Sequence, residues 1–144
     1  MNKIGETLDL DENLFDSTAG RKCLTDTVNR GINLHVVVHK NSSETLRKLG
    51  KEGKIKLFYT PMKPKPAYGH FLTDGNTTIR TRTCPEFYEI LTYPCNKFEA
   101  QHDLKEFKKM EKYPIMPDGV DSVFRMISNG TEPRKIVEYL NRKM

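Results

Sequence analysis

The chain has 144 residues, 36% of them hydrophobic, and a formal net charge of +5. This length is typical of one domain whose hydrophobic core needs neither disulfides nor a metal. No apolar run reaches the ~18 residues of a membrane span, so we expect no membrane-spanning segment. The three cysteines form no disulfide framework and no secretory signal opens the chain, so we expect a location in the cytoplasm, or in that of a host cell.

Charge divides the chain into two parts. Residues 1–16 contain five acids and one base, whereas the remaining 128 residues contain 23 bases and 14 acids. We therefore predict an acidic N-terminal arm over residues 1–16, either extended or a short edge strand, followed by a single domain over residues 17–144. The net charge of +9 on that domain favours polyanionic partners, nucleic acid first.

The first half of the domain predicts two helices and two strands in alternation. A helix begins near Ser17 and ends at Gly31. The β-branched run over residues 32–39 has hydrophobic residues at every second position and predicts a strand. A second, short helix follows a serine N-cap and ends at Gly50, and residues 54–60 predict the next strand.

The middle of the chain predicts a connector and a β-hairpin. Residues 61–69 are rich in proline and lysine, which indicates an extended, stiff segment. The strands of the hairpin cover residues 70–73 and 77–82 around an Asp-Gly turn. Residues 85–94 lie between two prolines and favour a further strand.

Three helices are predicted toward the C-terminus. Residues 97–112 carry a weak apolar stripe that places Phe98 and Phe107 in the core. A helix pair over residues 118–143, interrupted at Gly130, ends the chain. The predicted class is therefore α+β: a small, mostly antiparallel sheet covered by helices, with a C-terminal helical hairpin.

Cys23 is the candidate nucleophile. If Gly20 makes a tight turn and Cys23 opens the first helix, the first-turn amides and the two basic residues before the cysteine favour the thiolate. If Ser17 or Thr18 caps the helix instead, Cys23 lies in the middle of the helix and this argument does not apply.

His70 is the candidate general base. A strand, a connector and a second strand followed by Gly69-His70-Phe71 resemble the histidine region of papain-like and ovarian-tumour-type cysteine proteases. The resemblance implies a cysteine hydrolase that uses Cys23 and His70, and this is the alternative function.

The basic residues favour a different function. Residues 47–65 hold seven bases and one acid, and the C-terminal helix pair resembles a helix-turn-helix. The residues predicted to contact nucleic acid are Lys54, Lys56, Lys63, Lys65, Tyr68, Arg80, Arg82, Arg134, Lys135 and Arg142. The preferred prediction is a non-enzymatic binding or regulatory protein that contacts nucleic acid, or a protein partner that handles nucleic acid.

No metal or cofactor is predicted. His35 and His39 lie on one face of a predicted strand but about 13 Å apart, which is too far for one ion.

The basic connector and the charged helix over residues 97–112 also suit docking to a protein. Such a small chain is compatible with an accessory factor of a virus or phage.

Overall fold

The computed structural model describes residues 3–6, 16–40, 43–61, 70–73, 78–84, 87–95 and 97–143, with side chains described in 16–40, 43–61 and 97–143. The strands are β1 Lys3–Glu6, β2 His35–Val38, β3 Lys56–Tyr59, β4 His70–Thr73, β5 Thr78–Cys84, β6 Phe87–Cys95 and β7 Tyr113–Ile115. The helices are α1 Thr18–Asn29, α2 Glu44–Lys51, α3 Lys97–Met110, α4 Val120–Ser128 and α5 Pro133–Lys143, and a 3-10 turn at Pro117–Gly119 precedes α4.

The strands form one mixed sheet in the order β6-β5-β4-β1-β2-β3-β7. The three strands β1, β2 and β3 pair in parallel, and α1 and α2 supply the crossovers that parallel neighbours require. The other four pairings are antiparallel. The predicted α+β class is confirmed, but the centre of the sheet is a parallel β-α-β-α-β unit that we did not predict.

Residues 3–6 belong to this sheet, which corrects the prediction of a separate arm or an edge strand. β1 lies between β2 and β4, with Ile4 opposite both Val36 and Leu72. Asp16, the last acid of the predicted arm, accepts hydrogen bonds at the N-terminus of α2. Residues 7–15 of the predicted arm lie outside the described residues.

Side chains of the central strands alternate between two hydrophobic clusters. Val36 and Val38 pack on the face of the sheet that carries α1, α2, α4 and α5. Val37 points to the opposite face, where it packs with Phe107 and Met110 of α3. The alternation predicted for residues 32–39 is confirmed. α3 packs on one side of these strands, and the other four helices pack on the opposite side.

The predicted hairpin is present as β4 and β5. His70 pairs with Thr81, and Thr73 pairs with Thr78. The Asp-Gly turn between the two strands lies outside the described residues. The strand favoured for residues 85–94 is present as β6, which pairs with β5.

The end of α2 differs from the prediction. The helix passes Gly50 and ends at Lys51 with Glu52 as its C-cap, and the next residue, Gly53, has a φ of 70° in the left-handed region that glycine adopts readily. The amide of Gly53 donates to the carbonyl of Gly50 at 3.1 Å, and that of Lys54 donates to the carbonyl of Leu49 at 3.0 Å. This pair of bonds is a Schellman motif. Gly50 itself is buried against Leu57 of β3.

The C-terminal pair predicted over residues 118–143 is present as α4 and α5. A turn at Gly130, with φ of 69°, separates the two helices. The main contacts of α4 are with α2, and those of α5 are with β7. Phe124 and Leu140 join the hydrophobic cluster under α1 and α2. Each helix of the pair is therefore held mainly by the rest of the fold.

Candidate nucleic-acid interface

The cap of α1 decides the position of the candidate nucleophile. The hydroxyl of Ser17 accepts a hydrogen bond from the amide of Gly20 at 3.0 Å, so Ser17 is the N-cap. A helix start at Cys23 is therefore wrong, and Cys23 lies exposed in the middle of α1. The first-turn amides that would stabilise a thiolate belong to residues 18–20, about one turn before it. His70 opens β4 opposite Glu6, and its side chain lies outside the described residues.

The two histidines near β2 are buried and have different partners. His35 Nδ1 lies 3.3 Å from Oε2 of Glu111, directly after α3, while His35 Nε2 has no hydrogen-bond partner among the described residues. His39 Nδ1 lies 2.9 Å from the carbonyl oxygen of Thr60. The described residues contain no group of three or more side chains placed to hold a metal ion. The structure thus gives both rings a role in packing.

The residues predicted to contact nucleic acid are spread over several elements. Lys54 precedes β3 and forms an ion pair with Glu52 at 2.9 Å. Arg134 lies on α5, 3.6 Å from Glu132. The other exposed members are Lys56 on β3 and Lys135 and Arg142 on α5. No hydrogen bond or ion pair between described side chains joins the two lysines near β3 to the three basic residues of α5.

The remaining members are described less fully. Arg80 and Arg82 lie in β5, where they pair with Phe71 of β4 and Leu91 of β6, and their side chains are outside the described ones. Lys63, Lys65 and Tyr68 lie outside the described residues. These five positions therefore stay predictions.

Two grooves flank α2, and their charges are nearly balanced. A groove of about 820 Å³ runs between α2 and α4, and one of about 470 Å³ runs between α1 and α2. Together they are lined by six bases, Arg21, Arg47, Lys48, Lys51, Lys54 and Arg125, and four acids, Asp16, Glu44, Glu52 and Asp121. A cluster of lysines that looks unopposed in sequence is thus interleaved with acids in space.

Asp121 links the two helices across the larger groove. Its carboxylate lies 2.7 Å from Lys51 Nζ and 3.9 Å from Arg47 Nε. The hydrogen bond from Lys51, with the positive charges of Lys51, Arg47 and Arg125, holds the pKa of Asp121 below its ordinary value. Lys51 and Arg47 are therefore already paired with a carboxylate of the protein.

The region of α3 separates its charges by exposure. Between residues 97 and 112 every lysine is exposed and every acid is buried or half-buried. The lysines are Lys97, Lys105, Lys108, Lys109 and Lys112, and the acids are Glu99, Asp103, Glu106 and Glu111. We call these five lysines the lysine face. Within the described part of the chain, Lys109 is the one member with an ion pair, to Glu106 at 3.1 Å.

The inner side of α3 corrects the predicted stripe. Phe98, predicted to lie in the core, is 82% exposed, whereas Asp103 is only 2% exposed. Ala100, Phe107 and Met110 are the apolar residues that α3 buries. The outer side of α3 therefore carries Phe98, and the buried residues of α3 include the carboxylate of Asp103.

Phe98 lies in line with the lysine face. Phe98, His102, Lys105 and Lys109 recur at the three- and four-residue spacing that places side chains on one side of a helix. Over the 11 steps from Phe98 to Lys109 this row extends for about 16 Å. Sequence reasoning missed the row because residues 97–112 have a net charge of only +1, which hides the separation by exposure.

Comparison with known proteins finds no matching family model, no similar curated protein and no similar solved structure. Among the described residues no helix has both the length and the apolar character needed to cross a bilayer.

Proposed function

We propose that this protein is a non-enzymatic binding protein whose target is nucleic acid, held by the lysine face of α3. The observation that carries the proposal is the separation of charge by exposure between residues 97 and 112. Four lysines of α3 and Lys112, two residues beyond its end, are exposed, while the acids of the same segment are buried or half-buried. Phosphate groups are the abundant biological anions that such a row neutralises along its length.

The lysine face suits phosphates better than the grooves beside α2. There, a phosphate would compete with Asp121 for Lys51 and with Glu52 for Lys54. On α3, the lysines other than Lys109 have no ion pair with a described side chain, so binding breaks little. Lysine is also a point charge on a flexible stem, which follows a phosphate backbone without demanding one sequence.

Binding is preferred to cysteine hydrolysis because of the position of Cys23. Its place in the middle of α1 removes the helix-start activation on which the hydrolase alternative depended. The lysine face, in contrast, needs no reactive group.

The proposal is tested by the salt dependence of binding in two variants with the same charge. One variant, Lys105→Gln, Lys108→Gln and Lys112→Gln, removes three charges from the lysine face. The control, Arg134→Gln, Lys135→Gln and Arg142→Gln, removes three from α5, so both change the net charge from +5 to +2. Glutamine keeps the helix propensity at each position close to that of the original residue.

Fluorescence anisotropy with labelled oligonucleotides between ~50 and ~200 mM salt measures the slope of log K against log salt concentration. We expect the α3 variant to reduce that slope by about 2, from about 0.7 per phosphate contact on a single strand, and the α5 variant to leave it unchanged. Equal losses in the two variants, a larger loss in the α5 variant, or no binding by the original protein at ~50 mM salt would each contradict the proposal.

A further inference from the structure

We infer that the lysine face binds single-stranded nucleic acid and that one unpaired base stacks on the ring of Phe98; this inference rests on the proposed function. Phe98 and Met116 are the exposed large hydrophobic residues in the described part of the chain, at 82% and 53% exposure. A single exposed apolar side chain is ordinary. Phe98 differs because its ring lies in line with two exposed lysines, Lys105 and Lys109, on the outer side of α3.

The chemistry of the row distinguishes single strands from duplexes. The ring of Phe98 offers an apolar face of the kind on which bases stack, and stacking on aromatic side chains is a principal source of affinity for single strands. In a duplex the bases are already stacked inside, so the outer side of a helix meets phosphates and groove edges. The lysines can bind the phosphates of a single strand or of a duplex, but the exposed ring contributes chiefly to binding an unstacked base.

The dimensions of the row suit a short segment of strand. Its length of about 16 Å corresponds to about five nucleotides at ~3.4 Å per stacked nucleotide. His102 follows Phe98 by one helical turn on the same side and is also exposed, so it offers a second ring to a neighbouring base. Lys105 and Lys109 then lie where the phosphates of the next nucleotides pass.

The chain contains no tryptophan, which provides a direct test of stacking. Phe98→Trp creates a single fluorescent reporter at the proposed stacking position, and Met116→Trp creates a matched reporter at the other exposed apolar site. Each protein is titrated with an unlabelled homopyrimidine strand and with a duplex of equal length. We expect the strand to quench Trp at position 98 strongly, and to leave Trp at position 116 nearly unchanged.

Affinity gives the second measurement. Phe98→Ala should weaken binding of the single strand about 5- to 150-fold, as expected for the loss of one base–aromatic stack. It should change duplex binding less than twofold, and Phe98→Trp should bind the strand at least as tightly as the original protein. Met116→Ala is the control and should bind both ligands unchanged. Because both side chains project into solvent, circular dichroism should show every variant folded.

The outcomes separate this inference from the proposed function. If Phe98→Ala binds both ligands as the original protein does, or weakens both equally, stacking is refuted while binding by the lysine face stands. A lack of quenching at position 98 during tight binding refutes stacking in the same way. If neither ligand binds the original protein at ~50 mM salt, the proposed function itself fails.

Discussion

Replacing Gly50 by alanine tests how closely α2 packs on the sheet. Gly50 lies in the last turn of α2, where a β-carbon would overlap Leu57 Cδ1, lie 3.2 Å from Leu57 Cγ, and lie 3.4 Å from Val120 Cγ2. Its backbone is ordinary for a helix, since Gly50 is not among the glycines with positive φ. The effect of the substitution therefore depends on space rather than on backbone strain.

Two opposing contributions determine the sign of the effect. In an exposed helix, alanine is more stable than glycine by about 1 kcal/mol. Overfilling a well-packed core costs about 1–3 kcal/mol. Leu57 is 2% exposed, so its side chain cannot rotate away without meeting other core residues. We expect Gly50→Ala to lower the free energy of unfolding by about 1 kcal/mol, which lowers Tm by roughly 4 °C for a chain of this size.

The partner substitution Leu57→Val should reverse the sign. Valine lacks the Cδ methyls, so it leaves space for the new β-carbon at a cost of about 1 kcal/mol on its own. In the Leu57→Val background, Gly50→Ala should raise stability, and a double-mutant cycle from urea unfolding measures the coupling between the two sites. If Gly50→Ala raises stability in the original background, the close packing of α2 on β3 is refuted.

Two further predictions concern the helix starts. Partial burial raises the pKa of Asp16, but hydrogen bonds from the Thr45 amide and the Ser43 hydroxyl outweigh it, so the pKa lies below the ordinary value of 3.8. The stabilisation by ionised Asp16 is thus complete above pH 3.8 and is lost as pH falls through the lower folded-state pKa. The Asp16→Asn variant should therefore be less stable than the original protein at neutral pH. Chemical unfolding at a series of pH values should show this difference in stability vanish in acid. Ser17→Ala should cost about 1 kcal/mol whereas Thr18→Ala stays nearly neutral, and the reverse order would refute Ser17 as the cap of α1.

The sequence predicts well those features that arise between near neighbours in the chain. The alternation around Val37, the serine caps and the glycine at the end of α1 depend on local periods and local hydrogen bonds, so they are readable without the fold. β1 is different because four residues with one glycine have little pattern of their own. Its place between β2 and β4 follows from pairing with distant strands. β7 contains Pro114, which obscures a strand in the sequence but which the edge of a sheet tolerates.

The candidate site was less predictable than the fold for a related reason. The weak apolar stripe predicted for residues 97–112 groups Phe107 with Phe98. The structure turns that residue outward and turns Asp103 inward. Which face a helix buries is decided by the surface that it covers, here the side of the sheet that carries Val37 and Phe58. The lysine face emerges only once that choice is known.

The energetics of α3 also distinguish a binding role from a structural one. Among the lysines of α3, Lys105 lies three residues from Lys108 and four from Lys109, and each such like-charge pair destabilises a helix by about 0.2–0.5 kcal/mol at low salt. The triple glutamine variant removes both pairs, so it should unfold at the same or a slightly higher urea concentration than the original protein. If the lysines served the fold, stability and binding would fall together. A loss of binding without a loss of stability is the expected result, because these lysines repel one another until a polyanion neutralises them.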